Sequence, residues 1–407
     1  MKTRLVPVSS ICEIILSGTP KTSVPEYWNG NINWATAKDV ANCSERFIKD
    51  TEKTISELGV KNSAAKILPK DSIIISARGT VGKICITPRK MSCNQSCYGL
   101  IPKKHIIRPL YLYYSLRNLQ YSQVVYGTIF DTITTKTFDE LTLTIPELTT
   151  QDKILQYISK LDDLIECKQQ ENKILEKIAQ TIFKSWFVDF EFPNDEGKPY
   201  KSSGGEMVYS EELEKDMPQG WRIGFFSDLV NNIKISLKSG EHLQDRKYIP
   251  IDLLPMHKIG LEDYREYTDA KSSLIAFEKD DILFGAMRPY FHRVNIAPFS
   301  GITRTTVFVL RPRKREYLCY ALFYLNLNSS IDYANAHSTG STIPYAVWNN
   351  SLEVMPTLLP DEKQLSKFNN LIYPLIDKIK KSFFELQSLS KIRDSLLPKL
   401  MSGEIRV

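Results

Sequence analysis

Two short stretches of this 407-residue chain concentrate groups able to grip a polyanion: Arg78-Gly79-Thr80-Val81-Gly82-Lys83 and Arg288-Pro289-Tyr290-Phe291-His292-Arg293. The first is close to a phosphate-binding loop. However, the first glycine of G-x-x-x-x-G-K-[ST] falls on Ala77, and Ile84 stands where the magnesium ligand would be. The second keeps the charge and loses both glycines, so what the two share is positive charge rather than a nucleotide cradle. Further along, Cys93-Asn94-Gln95-Ser96 faces Thr303-Arg304-Thr305-Thr306 at corresponding places, and Thr128–Thr137 faces Ser338–Val347. Arginine bonds guanine O6 and N7 bidentately, and asparagine or glutamine does the same at adenine N6 and N7. Replacing Asn94-Gln95 by Arg304-Thr305 at one structural position would therefore change a base preference. The candidate DNA contacts are Lys38, Arg78, Thr80, Lys83, Asn94, Gln95 and Lys136 in the first half, and Arg288, Tyr290, Arg293, Arg304, Thr305 and Ser341 in the second. The structural alternative for Arg78 and Arg288 is an ion pair with Asp71 and Asp281, respectively.

Catalytic signatures are missing. The sequence has no G-x-G-x-x-G, no G-x-S-x-G and no H-E-x-x-H. The Asn/Asp-Pro-Pro-aromatic tetrapeptide with which amino-methyltransferases hold a base is also absent. His105, His242, His257, His292 and His337 do not sit at matching places in the two halves. Cys93, Cys97 and His105 fit no common zinc spacing. The chain is expected to catalyse nothing and to carry no cofactor or metal of its own. A net charge of +6 agrees with a polyanionic partner without requiring one. The scattered cysteines, the absence of a membrane-length apolar run and the lack of a signal-like start point to a reducing cytoplasm.

The two sets of loops belong to a duplication. Asp71, Arg78, Pro88, Leu100, Pro102, Lys104, Leu112, Tyr114, Asn118, Thr132, Ile133, Pro146, Leu148, Lys153, Leu155 and Leu161 each recur 210 positions later. Between these anchors most residues differ, so the scaffold is shared and the surfaces have diverged.

The expected fold class is α/β (α+β): two repeated mixed α/β globules separated by a long antiparallel two-helix coiled coil, with pseudo-two-fold symmetry. Residues 1–148 form the first globule, 149–190 a central helical spacer, 191–220 a linker, 221–358 the second globule and 359–407 a C-terminal helical spacer. The first seam runs through Ile154, Ile158, Leu161, Ile165, Leu175, Ala179, Ile182 and Trp186, with Lys168 and Asn172 as polar members. The second runs through Leu365, Phe368, Ile372, Leu375, Ile379, Leu386, Leu389 and Leu396, and Pro374 should split it into a short helix and a long one. The Gly- and Pro-rich stretch 192–220 should carry little regular structure.

These features together resemble the specificity (S) subunits of type I restriction–modification systems. The residues that carry the resemblance are Gly18-Thr19-Pro20, Tyr27-Trp28-Asn29-Gly30-Asn31-Ile32-Asn33-Trp34, Ser185-Trp186-Phe187-Val188-Asp189-Phe190, Gly204-Gly205-Glu206-Met207-Val208, Pro218-Gln219-Gly220-Trp221 and the terminal Leu396–Val407. The second half departs from the pattern, with Ser239-Gly240-Glu241 and Tyr248-Ile249-Pro250 in place of the opening motifs. The resemblance implies two target-recognition domains, each reading one half of a bipartite, asymmetric double-stranded DNA sequence. It also implies docking of two methyltransferase (M) subunits that use S-adenosylmethionine to methylate adenine N6. Translocase–nuclease (R) subunits that use ATP and magnesium would join them. The alternative is a regulatory or antirestriction protein that uses the same duplicated fold only to bind other proteins.

Overall fold

The computed structural model describes residues 3–126, 132–212, 214–340 and 342–407. The chain divides into two compact units, Met1–Glu166 with Leu389–Val407, and Cys167–Ser388. Both are mixed α/β.

In the first unit, Thr3–Pro7 pairs antiparallel with Thr142–Pro146. A four-stranded antiparallel sheet follows, in the order Cys12–Leu16, Cys97–Pro102, Ile73–Ser76, Ile84–Ile86. A second sheet pairs Trp28–Ala35 antiparallel with Lys53–Ile55 and parallel with Ser92–Cys93. The run Ile73-Ile74-Ile75 is apolar throughout because it is buried on both faces. Ile73 and Ile75 face a core shared with Tyr111, Leu112 and Tyr114 of the helix Pro109–Tyr126. Ile74 faces a separate core with Val40, Leu68 and Met91. Strand alternation thus divides three isoleucines between two cores. Each fully buried side chain of this kind contributes roughly 1.5–3 kcal/mol.

The second unit repeats the plan. Arg222–Phe225 pairs with Pro356–Leu359, and the main sheet has the order Val230–Ile233, Val307–Pro312, Ile282–Gly285, Val294–Ile296. Its second sheet again ends in a parallel pair, Lys247–Tyr248 beside Gly301–Arg304.

The long helices are Leu148–Phe187 and Glu362–Ser402. Within the first unit, Ile154 and Ile158 share a core with Leu397, Leu400 and Met401. Asp162 accepts from the Arg393 guanidinium at 2.9 Å and from the Tyr114 hydroxyl at 2.7 Å. Arg46 is bound to Glu166 and Asp163. Within the second unit, Lys168 pairs with Glu385 at 2.6 Å, Glu171 with Lys378, and Phe183 lies 5.9 Å from Phe368. In each unit the partner's number falls as the first helix advances, so the paired segments run antiparallel.

Two expectations are corrected. Pro374 neither ends nor splits its helix, which is continuous from Glu362 to Ser402. Pro374 removes one backbone hydrogen bond, to the carbonyl of Asn370, and both residues are exposed, on a face open to solvent where the loss is least costly. The buried Ile372 and Ile376 hold the helix on either side. The stretch 192–220 is also more ordered than its glycines and prolines suggest. Phe192 stacks between Tyr200 at 4.6 Å and Trp221 at 5.0 Å, and Met207–Ser210 pairs with Lys215–Pro218 as a hairpin. Aromatic residues set between the turn formers supply a core that a reading based on breakers alone overlooks.

One carboxylate on the first long helix titrates near neutrality. Burial pushes Glu176 up to about 7, opposed by the Ile259 N–H that it accepts at 2.9 Å and by Lys258. A folded pKa above the unfolded one means that its contribution is fully present below about 4.5 and is lost as pH rises through 7. Chemical unfolding should therefore lose on the order of 1–3 kcal/mol of stability between pH 5 and 8 from this group. Glu176→Gln should flatten that slope, and an unchanged slope in the variant would assign the titration elsewhere.

Candidate nucleic-acid interface

Backbone hydrogen bonds gather the candidate loops of the first unit at one place. The Ala77 N–H donates to Ser96 O at 2.8 Å, Asn94 N–H to Ala35 O at 2.9 Å, and Ile133 N–H to Ala77 O at 3.2 Å. The Thr19 hydroxyl donates to the Gln95 side-chain oxygen. The sequences around residues 19, 35–38, 77–83, 94–96 and 132–137 are thereby neighbours. Arg78–Lys83 is a turn between Ile73–Ser76 and Ile84–Ile86, with no helix behind it, so the geometry of a nucleotide-phosphate loop is absent. The Ser76 hydroxyl holds the turn by accepting the Lys83 N–H at 3.0 Å and donating to Thr80 O at 2.5 Å.

Arg78, Lys83 and Lys136 are exposed and have no ion-pair partner among the described residues. Lys38 is exposed too but is countered by Glu52 at 2.9 Å. The Asn94 side-chain oxygen caps its own turn by accepting the Ser96 N–H at 3.0 Å, so its place there is partly structural. The ion-pair alternative fails. Asp71 pairs with Lys104 at 2.9 Å, and Asp281 pairs with Arg311 at 2.8 Å, leaving Arg78 and Arg288 to other work.

The second unit gathers its loops in the same way. Ala286 N–H donates to Thr306 O at 2.9 Å, Ala346 N–H to Ala286 O at 2.8 Å, and Arg288 N–H to Pro344 O at 2.7 Å. The Tyr345 hydroxyl ties in Thr305 O at 2.5 Å. Arg304, Thr305 and Tyr290 are exposed, while Arg288 and Arg293 are half-buried. Ser341 lies outside the described residues, as does the tip 127–131 of the first unit's third loop.

Hydrogen-bond register corrects the single offset of 210. Ile73 pairs with Leu100 and Ile86, and Ile282 with Leu310 and Ile296. The central strand is thus displaced by 209 and its neighbours by 210. Asp71 and Asp280, not Asp281, are the equivalent left-handed residues, with φ of 70° and 72°. The second turn is one residue longer, so Arg288 occupies the place of Gly79 and His292 that of Gly82. The repeated cation is Lys83 with Arg293, whose carbonyls accept from Ser76 and Gly285 N–H at 2.9 Å in both units. At the ends the displacement grows. Val8 N–H donates to Leu141 O as Phe226 N–H does to Met355 O, which shifts the first strand by 218 and the last by 214. The matches at Thr132/Thr342 and Pro146/Pro356 are therefore coincidences of residue type.

Sequence reasoning missed Thr19, Tyr345 and Phe291. Each lies in a stretch singled out above, Gly18-Thr19-Pro20, Ser338–Val347 and Arg288–Arg293, but nothing in the sequence set it apart from its neighbours.

Among the described residues, no group of three or more His, Cys, Asp or Glu is placed to hold a metal. Cys93 and Cys97 are buried, and burial pushes the Cys93 thiol up to about 12, far from a ligating thiolate. No helix among these residues is long and apolar enough to cross a membrane.

Both units thus present clustered loops on a β scaffold, with arginine, lysine and amide side chains in the first and arginine, threonine and tyrosine in the second, the form of a sequence-reading protein. Residues 4–177 match the family described as the type I restriction modification DNA specificity domain. The MjaIX specificity subunit of Methanocaldococcus jannaschii is 31% identical over 98% of this chain and 93% of its own length. The HindI specificity subunit of Haemophilus influenzae is 24% identical over 75% of this chain and 79% of its own. Among solved structures, the type I restriction–modification S subunit from M. genitalium superposes with a TM-score of 0.59 at 15% identity. It covers 98% of this chain and 96% of that one, a likeness of fold. The chain belongs to the specificity subunits of type I restriction enzymes. Its part is DNA target recognition, and it is a non-catalytic member of its system.

Proposed function

We propose that the two units read the two halves of one bipartite, asymmetric double-stranded DNA target, each through its own loop cluster. The observation that carries this reading is the pair of loop clusters built on matching hydrogen bonds but furnished with different side chains. Lys83 is matched by Arg293, Gly79 and Gly82 by Arg288 and His292, and Asn94-Gln95 by Arg304-Thr305. One scaffold with two chemistries suits a target whose halves differ. Lys38, Arg78, Thr80 and Lys136 complete the first contact set, and Tyr290 and Ser341 the second.

The two long helices form, in this reading, an antiparallel coiled coil that separates the globules, spaces the half-sites and docks two methyltransferase subunits. Tyr157, Leu164, Ile174 and Ile178 on the first helix, and Leu371, Phe384 and Ile392 on the second, are large apolar side chains left 41–58% exposed. Such stripes suit partner helices. S-adenosylmethionine belongs to those partners, ATP and magnesium to the translocase–nuclease subunits, and the complex works in the cytoplasm. No observation favours the regulatory alternative.

The complex with methyltransferase subunits should bind target DNA with a steep salt dependence, about 0.9 in log–log slope per neutralised phosphate. Removing Arg78 or Lys136 should lower that slope by about one unit each, whatever the sequence. A slope untouched by either change would place the backbone contacts elsewhere.

A further inference from the structure

We infer that Phe291 is a positioning residue for DNA reading: its ring fixes the guanidinium groups of Arg288 and Arg293 so that the second unit presents a preformed, donor-rich edge to a guanine of its half-site. This rests on the proposed reading and adds to it the device that orients the contact and the class of base contacted.

The turn that carries these residues is conformationally costly. Arg288 has φ 54°, ψ 68°, and His292 has φ 53°, ψ 57°. Both are left-handed, a region that disfavours side chains other than glycine by roughly 1–2 kcal/mol each. The first unit meets the same requirement at the same two places with Gly79 and Gly82. A chain that keeps arginine and histidine where glycine would serve is holding the turn by other means. Those means are visible. The Arg288 N–H is held by Pro344 O at 2.7 Å, and the His292 N–H by Pro289 O at 2.8 Å. The buried His292 ring has its Nε2 at 3.0 and 2.8 Å from the backbone and side-chain oxygens of Asn326. Both are acceptors, so Nε2 carries the proton and donates. Backbone strain retained and over-determined in this way marks a functional constraint.

Between the two left-handed residues stands Phe291. The Arg293 guanidinium lies 5.0 Å from its ring centroid and that of Arg288 5.9 Å, both within cation–π range. Tyr290, packed edge-on against Phe291 at 4.9 Å, points its other side to solvent. Neither arginine has an acidic partner within ion-pair distance among the described residues. The Nε of Arg293 is buried without a hydrogen-bond partner, and its stem packs over Gly285, where an added Cβ would meet Arg293 Cβ at 3.0 Å. Asp252 acts on Arg293 only from beyond ion-pair distance and is itself paired with Arg265, and a half-buried guanidinium without a carboxylate in contact is unfavourable unless a partner is supplied from outside. With Nε enclosed, the two terminal nitrogens are what remain to bond, and guanine O6 and N7 accept such a bidentate pair.

The test uses the complex with methyltransferase subunits and two duplexes, one with the methylated target of the host and one with the second half-site scrambled. Phe291→Leu should lower affinity for the target about tenfold, with the scrambled duplex unaffected, because preorganisation is lost while the charges remain. Phe291→Tyr, which keeps an aromatic face, should restore the discrimination. If Phe291→Leu fails to fold by thermal unfolding, Phe291→Met gives the same comparison with a flexible apolar side chain. If Arg293→Ala lowers target affinity while Leu and Met at 291 leave it unchanged, the positioning role is overturned and the half-site reading stands. If neither Arg288→Ala nor Arg293→Ala changes the ratio of the two affinities, the half-site reading itself fails for this unit.

Discussion

Replacing Asp162 by alanine should cost about 3–5 kcal/mol of unfolding free energy. Asp162 is 3% exposed, and it accepts from Tyr114 at 2.7 Å and from Arg393 at 2.9 Å, with Arg117 3.9 Å away. Removing the carboxylate leaves Arg393 buried with Asp394 as its remaining counter-charge. The pair is not for that reason a net source of stability. Desolvating two charges offsets most of their attraction, so the double variant Asp162→Leu/Arg393→Met should recover much of the loss. The pair is directional, tying the C-terminal segment to one position on the first long helix beside the core contacts of Leu397 and Leu400. Denaturant titration of the two single variants and the double variant checks this. Single losses below about 1 kcal/mol would mean that the network is hydrated and contributes little.

The second large effect concerns specificity. Lys83→Ala should relax the target in one half-site and Arg293→Ala in the other, because the two residues hold equivalent positions in separate units. Losing a base-reading arginine costs roughly 1–3 kcal/mol at one position, about 5- to 150-fold in discrimination. A lysine that meets only phosphate weakens all sequences alike. The first unit's turn, with glycines at its two left-handed positions, is the less preorganised of the two. Its variant should therefore show the smaller loss of discrimination and the larger loss of general affinity.

Much of this was legible in the sequence, for identifiable reasons. The long helices follow from heptads that no glycine interrupts, and Ile154, Ile158, Phe368 and Ile372 are buried as their phase requires. The duplication was visible because core positions such as Leu100 and Leu310 keep their type. Its register was not, because one added residue in the 286–293 turn moves the preceding strand from a displacement of 210 to 209 without disturbing the pattern of apolar residues. The hydrogen bonds of Ile73 and Ile282 and the left-handed backbone of Asp71 and Asp280 reveal it. Pro374 misled because a proline's cost depends on whether the carbonyl it orphans meets water, which depends on which face is exposed. The role of Phe291 was hidden for a similar reason: in sequence it is one more aromatic residue, and only the two guanidinium groups above its ring distinguish it from core.

The central claim, that each unit reads its own half of a divided target, is tested most directly by single-molecule methylome sequencing. The host would express this chain with its methyltransferase subunit, as wild type, Lys83→Ala and Arg293→Ala in turn. The wild type should mark one bipartite, asymmetric motif with unread positions between its halves. Lys83→Ala should broaden the bases accepted in one half only, and Arg293→Ala those in the other. A continuous motif, or broadening of the same half by both variants, would contradict the account.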